Sequence, residues 1–185
     1  MKSKTAAMEM SVGTIVTIVL LVTVLILGVV LIKNIFSSAK GVVDLTDQQL
    51  RDEINKLFSE EKRVSIYPGT RIVEIKQNTI DGIGVGIWNL LPGASSDKRF
   101  SYVVKVSDSD LQEKCGINEQ TVESWITLGR AADDIAIASG DSINRKVLFE
   151  IPVGAPLCTI GFEIDVEVDG TIYTSDTFAI KIRPK

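Results

Sequence analysis

The chain has 185 residues, of which 45% are hydrophobic and 24% charged, enough for one anchor and one globular domain but not for two full domains. Its net charge of −4 and its lack of a basic run argue against nucleic acid as a partner, because phosphate binding depends on clustered Lys and Arg. The chain contains no His, which removes the commonest general base and most zinc sites. We therefore expect neither a cofactor nor an enzymatic activity.

An apolar segment dominates the N-terminal region. From Met10 to Ile32 the chain carries no charged residue, and as a helix this segment extends roughly 34 Å, enough for a hydrocarbon core of about 30 Å. We predict a transmembrane helix over residues 10–36, because lipid offers exposed backbone groups no partner. A buried core helix is one alternative. A removed secretory signal is another, although its apolar run of about 7 to 15 residues is shorter.

The flanking charges predict the orientation of this helix only weakly. Lys2 and Lys4 lie on one side of the segment, and Lys33 and Lys40 lie on the other. We place the N-terminus in the cytoplasm because the preceding tail is short. Residues 1–9 then form a basic leader or cytoplasmic tail, and the C-terminal domain is extracytoplasmic.

The residues around the start of the segment carry a family resemblance. They read Lys4-Thr5-Ala6-Ala7-Met8-Glu9-Met10-Ser11-Val12-Gly13-Thr14-Ile15-Val16. Over about the first 35 residues, the chain resembles archaeal type IV pilin-like proteins. The resemblance implies that a prepilin peptidase removes the leader and leaves Thr5 as the first mature residue, with Lys4 where the family usually has Gly or Ala.

Proteins of that family have a Glu at the fifth position of the mature chain, and the resemblance assigns this position to Glu9. It also implies self-association, because the apolar helices of that family bundle into a filament core. The expected partners are then the lipid bilayer, sibling helices and other envelope proteins. The residues alone leave a simpler role for Glu9, that of a carboxylate at the positive end of a helix dipole.

Residues 37–62 are predicted to form a linker and a short amphipathic helix. Thr46 and Gln49 have the spacing of a capping box, which indicates that a helix begins there. The apolar residues that follow share one helix face and are Leu50, Ile54, Leu57 and Phe58. We expect this stripe to pack on the domain or on a sibling subunit.

Residues 63–185 change to the period-two pattern of strands separated by turns. The predicted strands are Val64 to Tyr67, Arg71 to Lys76, Gly82 to Leu90, Phe100 to Ser107, Ile135 to Ala138, Val147 to Val153, Cys158 to Val168 and Thr171 to Ile182. Asp169-Gly170 is typical of a tight turn joining the last two strands into a hairpin. Their number and spacing favour a mainly β fold with an N-terminal α segment, specifically an immunoglobulin-like β-sandwich.

The two cysteines, Cys115 and Cys158, are predicted to form one structural disulfide on the oxidising side of the membrane. Two buried thiols are the alternative. A bond would close a loop of about 42 residues and contribute on the order of 3 to 4 kcal/mol in the chain-entropy estimate. Between Cys115 and Trp125 we expect a loop or brief helix, with Asn118 as a possible cap.

Three further motifs have structural explanations. Gly82, Gly84 and Gly86 fail the spacing of a phosphate loop and instead indicate a close backbone approach or a twisted edge strand. Asp108-Ser109-Asp110 suits side-chain capping of a turn. An alternating acidic row favours a solvated face over a Ca²⁺ site, and its members are Glu163, Asp165, Glu167 and Asp169.

The function that these patterns favour is that of a membrane-anchored, type IV pilin-like subunit with a structural or adhesive role in the cell envelope. The alternative is a monomeric single-pass membrane protein whose immunoglobulin-like domain binds a partner. A hydrolase that uses carboxylates is a third, weaker hypothesis, because the sequence places no two carboxylates together.

Overall fold

The computed structural model describes residues 12–37, 41–58, 62–93 and 98–185. It divides into two units, Met1–Lys40 and Gly41–Lys185, which are described separately. The helices are α1 (Val12–Ser37), α2 (Asp47–Leu57), α3 (Leu111–Cys115) and α4 (Glu119–Glu123), with a 3-10 turn at Val42–Asp44. The strands are β1 (Val64–Tyr67), β2 (Ile72–Lys76), β3 (Thr79–Trp88), β4 (Arg99–Val106), β5 (Ile126–Leu128), β6 (Ala131–Ala136), β7 (Ser142–Ile151), β8 (Thr159–Val168) and β9 (Thr171–Arg183).

The strands of the second unit form two sheets that pack as a β-sandwich. One sheet has the order β1-β3-β7-β5 and the other the order β2-β9-β8-β4-β6. Aromatic side chains fill the space between them, where the Phe149 ring centroid lies 5.0 Å from that of Phe162 and 6.2 Å from that of Phe178. Rings at such distances and edge-on angles contribute beyond their buried area. The predicted mainly β fold with an N-terminal helix is confirmed at this level.

The β8–β9 hairpin forms as the alternating pattern predicts. Ile160, Phe162 and Ile164 are each at most 1% exposed, so one face of β8 lies in the core. Asp169 and Gly170 have φ values of 49° and 78°, the left-handed pair that a two-residue hairpin turn of type I′ requires.

The opposite face of β8 differs from the solvated face that we expected. Asp165 is only 8% exposed. The Nζ of Lys105 and the Oγ of Ser175 each donate a hydrogen bond of 2.6 Å to its carboxylate. The expectation is therefore wrong at this residue, because side chains from β4 and β9 cover it.

The glycine-rich strand β3 permits a close approach of helix α2, as one of the two interpretations predicted. A Cβ atom at Gly84 would clash with Leu50, and one at Gly86 would clash with Ile54 and Phe58. The other interpretation, a twisted edge strand, is wrong, because β3 pairs with β1 on one side and with β7 on the other. The absent side chains thus create the surface on which α2 lies.

A second apolar cluster, which we call the neck cluster, joins this helix to the outer face of the sheet. Its buried members are Val42, Leu45, Leu50, Ile54 and Tyr67, with Leu57, Phe58 and Leu148 packed around them. The capping box predicted at the start of α2 is present, with the Gln49 backbone N–H donating to Thr46 Oγ1 and the Thr46 backbone N–H donating to Gln49 Oε1. The predicted apolar stripe therefore packs on the chain's own sandwich.

Some strand bounds differ from the predicted ones. Strand β5 was not predicted because it has only three residues. Strand β6 begins at Ala131 rather than Ile135, since Asp134 has a φ of 56° and lies beside a register shift in the ladder with β4. Strand β7 begins at Ser142 rather than Val147, because its first half pairs with β3, from Ser142 opposite Trp88 to Lys146 opposite Gly84.

Candidate functional site

The residues predicted for leader processing and assembly, Lys4, Thr5 and Glu9, lie outside the described residues. The description of the N-terminal unit begins at Val12. Their roles therefore stay predictions.

Helix α1 has the length and composition of a membrane span. Gly13–Leu31 has 19 residues with a mean hydropathy of 3.1, and none of this stretch is buried within the chain. A signal sequence close to an N-terminus satisfies the same criteria. The hydroxyls of Thr17 and Thr23 donate 2.8 Å hydrogen bonds to the carbonyls of Gly13 and Val19, so these polar groups are satisfied inside the helix.

Cys115 and Cys158 form the predicted disulfide, with their Cα atoms 5.9 Å apart. Cys115 ends helix α3, and Gly116 follows it with a left-handed φ of 69°, the usual geometry of a helix C-terminus. Asn118 caps α4 as predicted, accepting a 2.8 Å hydrogen bond from the Thr121 backbone N–H. The bond therefore ties the segment with the two short helices to the start of β8.

Asp108, from the acidic turn motif, bonds a backbone amide, but that amide lies on β8 rather than in the turn where capping was predicted. Its Oδ2 accepts a 2.8 Å hydrogen bond from the Gly161 backbone N–H. Its Oδ1 lies 3.6 Å from Lys114 Nζ. Within the described ranges, no group of three or more His, Cys, Asp or Glu side chains is arranged to hold a metal ion.

A cavity of about 340 Å³ lies where α2 meets the open side of the sandwich. Two elements of the sandwich contribute most of its polar wall, strand β4 and the first half of β7. The lining residues are Asp47, Leu50, Arg51, Tyr102, Leu128, Gly129, Asn144, Arg145 and Lys146. We call this feature the basic cavity, because it contains three cations and one carboxylate in a chain whose net charge is −4.

The three cations of the basic cavity differ in what holds them. Lys146 Nζ donates a 2.6 Å hydrogen bond to the Leu45 carbonyl and lies 3.7 Å from Asp47 Oδ1, which fixes its position. Arg145 donates to the carbonyl of Asn144 at 3.1 Å. Among the described residues, neither Arg145 nor Arg51 forms an ion pair, so both guanidinium groups keep donors for a ligand.

Two neutral polar groups of the basic cavity also lack partners among the residues that the structure describes. Tyr102 is 3% exposed, and its hydroxyl makes no hydrogen bond there. Burial raises the pKa of Tyr102, while the charge of Arg145 acts in the opposite direction. The Oδ1 of Asn144 is also without a donor, but it is too deeply buried for a bound molecule to reach. The cavity therefore offers a neutral hydroxyl and two guanidinium groups to a bound molecule.

Sequence reasoning missed the basic cavity entirely. Its polar residues come from three separate elements and have no fixed spacing along the chain. The one local sign was the polar run Asn144-Arg145-Lys146 directly before a buried strand. The predicted start of that strand, Val147, lies after the run.

Comparison with known proteins does not show a family. No protein-family model matches the chain. No curated protein matches it either.

Three solved structures align with parts of the chain at low TM-scores. The periplasmic chaperone SfaE aligns with a TM-score of 0.38 and 8% identity over 66% of this chain and 57% of its own. The alkylpurine DNA glycosylase AlkC of Pseudomonas fluorescens aligns with a TM-score of 0.29 and 12% identity over 64% and 30%. A family 123 glycoside hydrolase from Clostridium perfringens aligns with a TM-score of 0.34 and 13% identity over 62% and 23%. The chain thus spans between about a quarter and somewhat over half of the length of these proteins.

Proposed function

We propose that the protein is a membrane-anchored, type IV pilin-like subunit of the cell envelope, with a structural or adhesive rather than catalytic role. The observation that carries the proposal is the surface of α1, which is apolar all round over Gly13–Leu31 and is not covered by the rest of the chain. Such a surface needs lipid or the helices of other subunits around it. The N-terminus is then cytoplasmic, and the sandwich is the extracytoplasmic head.

The neck cluster supports a structural role. A rigid structural subunit needs the start of its head domain to be packed rather than loose. Helix α2 meets that condition, because Leu50 and Ile54 are at most 2% exposed on the outer face of the sandwich. Residues 42–57 are therefore a packed part of the second unit.

The strand order supports assigning the sandwich to the immunoglobulin-like class. In that class one sheet has the strands A, B, E and D, and the other has G, F and C with additions beside C. The order β1-β3-β7-β5 matches the first sheet. In the second sheet β9, β8 and β4 correspond to G, F and C, and two strands are added, β6 beside β4 and β2 in parallel beside β9. The disulfide departs from the pattern, because Cys115 lies on α3 rather than on the strand that would face β8.

A second candidate is a monomeric single-pass protein whose sandwich binds a partner. The hydroxyls of Thr17 and Thr23 favour this candidate. They donate hydrogen bonds to carbonyls of their own helix and therefore need no acceptor on a neighbouring helix.

The N-terminus of the native protein tests the pilin-like assignment. Intact mass and N-terminal sequencing of protein isolated from its own membranes should show loss of Met1 to Lys4 and a new terminus at Thr5. A retained leader would overturn the pilin-like assignment in favour of the single-pass anchor. Loss of the whole apolar segment would overturn both, because it would identify a signal sequence.

Self-association can be tested by cross-linking within α1. A Leu21→Cys variant carries the only unpaired thiol, because Cys115 and Cys158 are bonded to each other. Assembled helices should give oxidatively cross-linked dimers in native membranes. The same chain with the additional change Glu9→Gln should give fewer of them at equal expression, and an unchanged yield would contradict the assembly role of Glu9.

A further inference from the structure

We propose that the basic cavity binds a carboxylate-bearing sugar of the uronic acid type. The inference rests on the adhesive part of the proposed function, to which it gives a ligand class. It does not depend on leader processing or filament assembly, because every residue of the cavity belongs to the unit that begins at Gly41.

The charge of the cavity selects an anion. The cavity is lined by three cations, Arg51, Arg145 and Lys146, and by one carboxylate. That carboxylate belongs to Asp47, and its Oδ1 lies 3.7 Å from Lys146 Nζ. The two arginines thus have no counter-ion among the described residues. A guanidinium group presents a planar fork of donors that matches a carboxylate in two parallel hydrogen bonds. A planar carboxylate placed between Arg51 and Arg145 would satisfy both.

One neutral group of the cavity favours an anion that also carries hydroxyls. The hydroxyl of Tyr102 makes no hydrogen bond among the described residues, and burial raises the pKa of Tyr102, so the group keeps its proton near neutral pH. It can donate that proton to a ligand oxygen and accept a hydrogen bond from a ligand hydroxyl. Sulfate carries acceptors only, and inorganic phosphate as the dianion carries a single hydroxyl. A hydroxy acid supplies both a carboxylate and several hydroxyls.

The size and the walls of the cavity suit a single sugar ring. Its volume of about 340 Å³ lies within the range of roughly 300–1,000 Å³ that small-molecule sites occupy. Leu50 and Leu128 line it beside the polar groups, and Leu128 is 53% exposed. These side chains offer an apolar surface to the carbon–hydrogen face of a ring, and covering Leu128 removes exposed apolar area from water.

Binding can be measured by titrating the purified full-length protein, in detergent micelles, with D-glucuronate as the probe. D-Glucose and inorganic phosphate serve as the neutral sugar and the plain anion. Ligand-observed NMR and calorimetry should detect saturable binding of D-glucuronate. At least tenfold weaker binding is expected for the other two compounds. Titration with a tetragalacturonate distinguishes a polysaccharide end from a free sugar as the source.

Three variants and a matched control assign the binding to the cavity. Arg51→Gln and Arg145→Gln should each weaken D-glucuronate binding by about tenfold or more, because each removes a charge-assisted hydrogen bond. Tyr102→Phe should weaken it severalfold while keeping the ring in the core. Lys76→Gln removes a positive charge from an exposed strand position that forms no ion pair with any described residue, and the affinity of this variant should equal that of the wild type.

Three results would overturn the proposal. One is the absence of saturable D-glucuronate binding by protein whose unfolding transition is intact. Another is phosphate binding as strong as that of D-glucuronate, which would indicate a plain anion site. The third is equal loss of affinity in Lys76→Gln and Arg145→Gln, which would indicate attraction by net charge alone. None of these results bears on the N-terminus at Thr5, so the two proposals can fail separately.

Discussion

At the scale of single residues, Asp165 is a buried carboxylate on the face of β8 that points away from the core. Glu163 and Glu167 on the same face are only half-buried. Asp165 accepts hydrogen bonds from Lys105 and from Ser175. The bond from Lys105, and after it the bond from Ser175, hold the pKa of Asp165 below its ordinary value. These contacts let β4, β8 and β9 share one polar cluster on the outer face of their sheet.

We predict that Asp165→Asn lowers the free energy of unfolding by about 1–3 kcal/mol at neutral pH, because charged hydrogen bonds are lost. The native pKa is lowered, so the contribution of Asp165 is complete above the unfolded pKa near 3.8 and is lost as the pH falls through the native pKa. The difference between variant and wild type should therefore shrink in acid. Urea unfolding of the full-length protein at a series of pH values measures it.

The matched control is Glu167→Gln on the same strand and face. Glu167 forms no ion pair or side-chain hydrogen bond in the described ranges, and its substitution should change stability by less than about 0.5 kcal/mol. An Asp165→Asn variant as stable as this control at neutral pH would contradict the role given to Asp165.

At the scale of elements, the fit of α2 against β3 depends on side chains that are missing. Gly84 and Gly86 let Leu50 and Ile54 pack directly on the backbone of the strand. Glycine inside a strand normally destabilises it, because glycine loses more conformational entropy on folding than other residues. Here the apolar packing of the neck cluster on the glycine face offsets that cost.

We predict that Gly84→Ala loosens α2. The added methyl would overlap Leu50, so the helix must shift, which costs about 1–3 kcal/mol as overpacking does. Hydrogen exchange of the backbone amides of Asp47–Leu57 should become faster. Gly161→Ala is the control, because its Cβ would meet the Ser107 Oγ at 3.0 Å on the other sheet, and it should leave exchange in α2 unchanged. Unchanged exchange in both variants would show that α2 does not rest on the glycine face.

Local patterns predicted the elements whose partners lie close in sequence. The β8–β9 hairpin follows from alternation and from Asp169-Gly170, and α2 follows from its capping box. Strand β5 and the first half of β7 were missed because pairing with β7 and with β3, respectively, forms them rather than a local period. The basic cavity was out of reach for the same reason, since Arg51, Tyr102 and Arg145 meet only after the sheets and α2 have packed.

At the scale of the whole molecule, the disulfide closes a large loop of the sandwich unit. The bond joins residues 43 positions apart, from the end of α3 to the start of β8, and encloses α4, β5, β6 and β7. The enclosed segment also contributes buried side chains to the core, among them Val122, Trp125 and Ile137. The bond thus fixes a segment whose own short helices are too short to be stable alone.

We predict that reduction of this bond lowers the free energy of unfolding by about 3–4 kcal/mol, because the unfolded chain regains the entropy of the open loop. Chemical unfolding with and without reductant measures the loss, and hydrogen exchange should rise first in α3 and α4. A Cys115→Ser/Cys158→Ser double variant should have the stability of the reduced protein and should not respond to reductant. A response in the double variant would show that the reductant acts elsewhere.

The parallel pairing of β2 with β9 has a mechanical consequence. Their ladder extends from Ile72 opposite Ala179 to Lys76 opposite Arg183. Tension between the N-terminal end of β2 and the C-terminal end of β9 pulls the two strands along their length in opposite directions. The backbone hydrogen bonds of this patch are then loaded together in shear instead of opening one after another. Wherever tension reaches these two strand ends, the short parallel ladder resists it in shear.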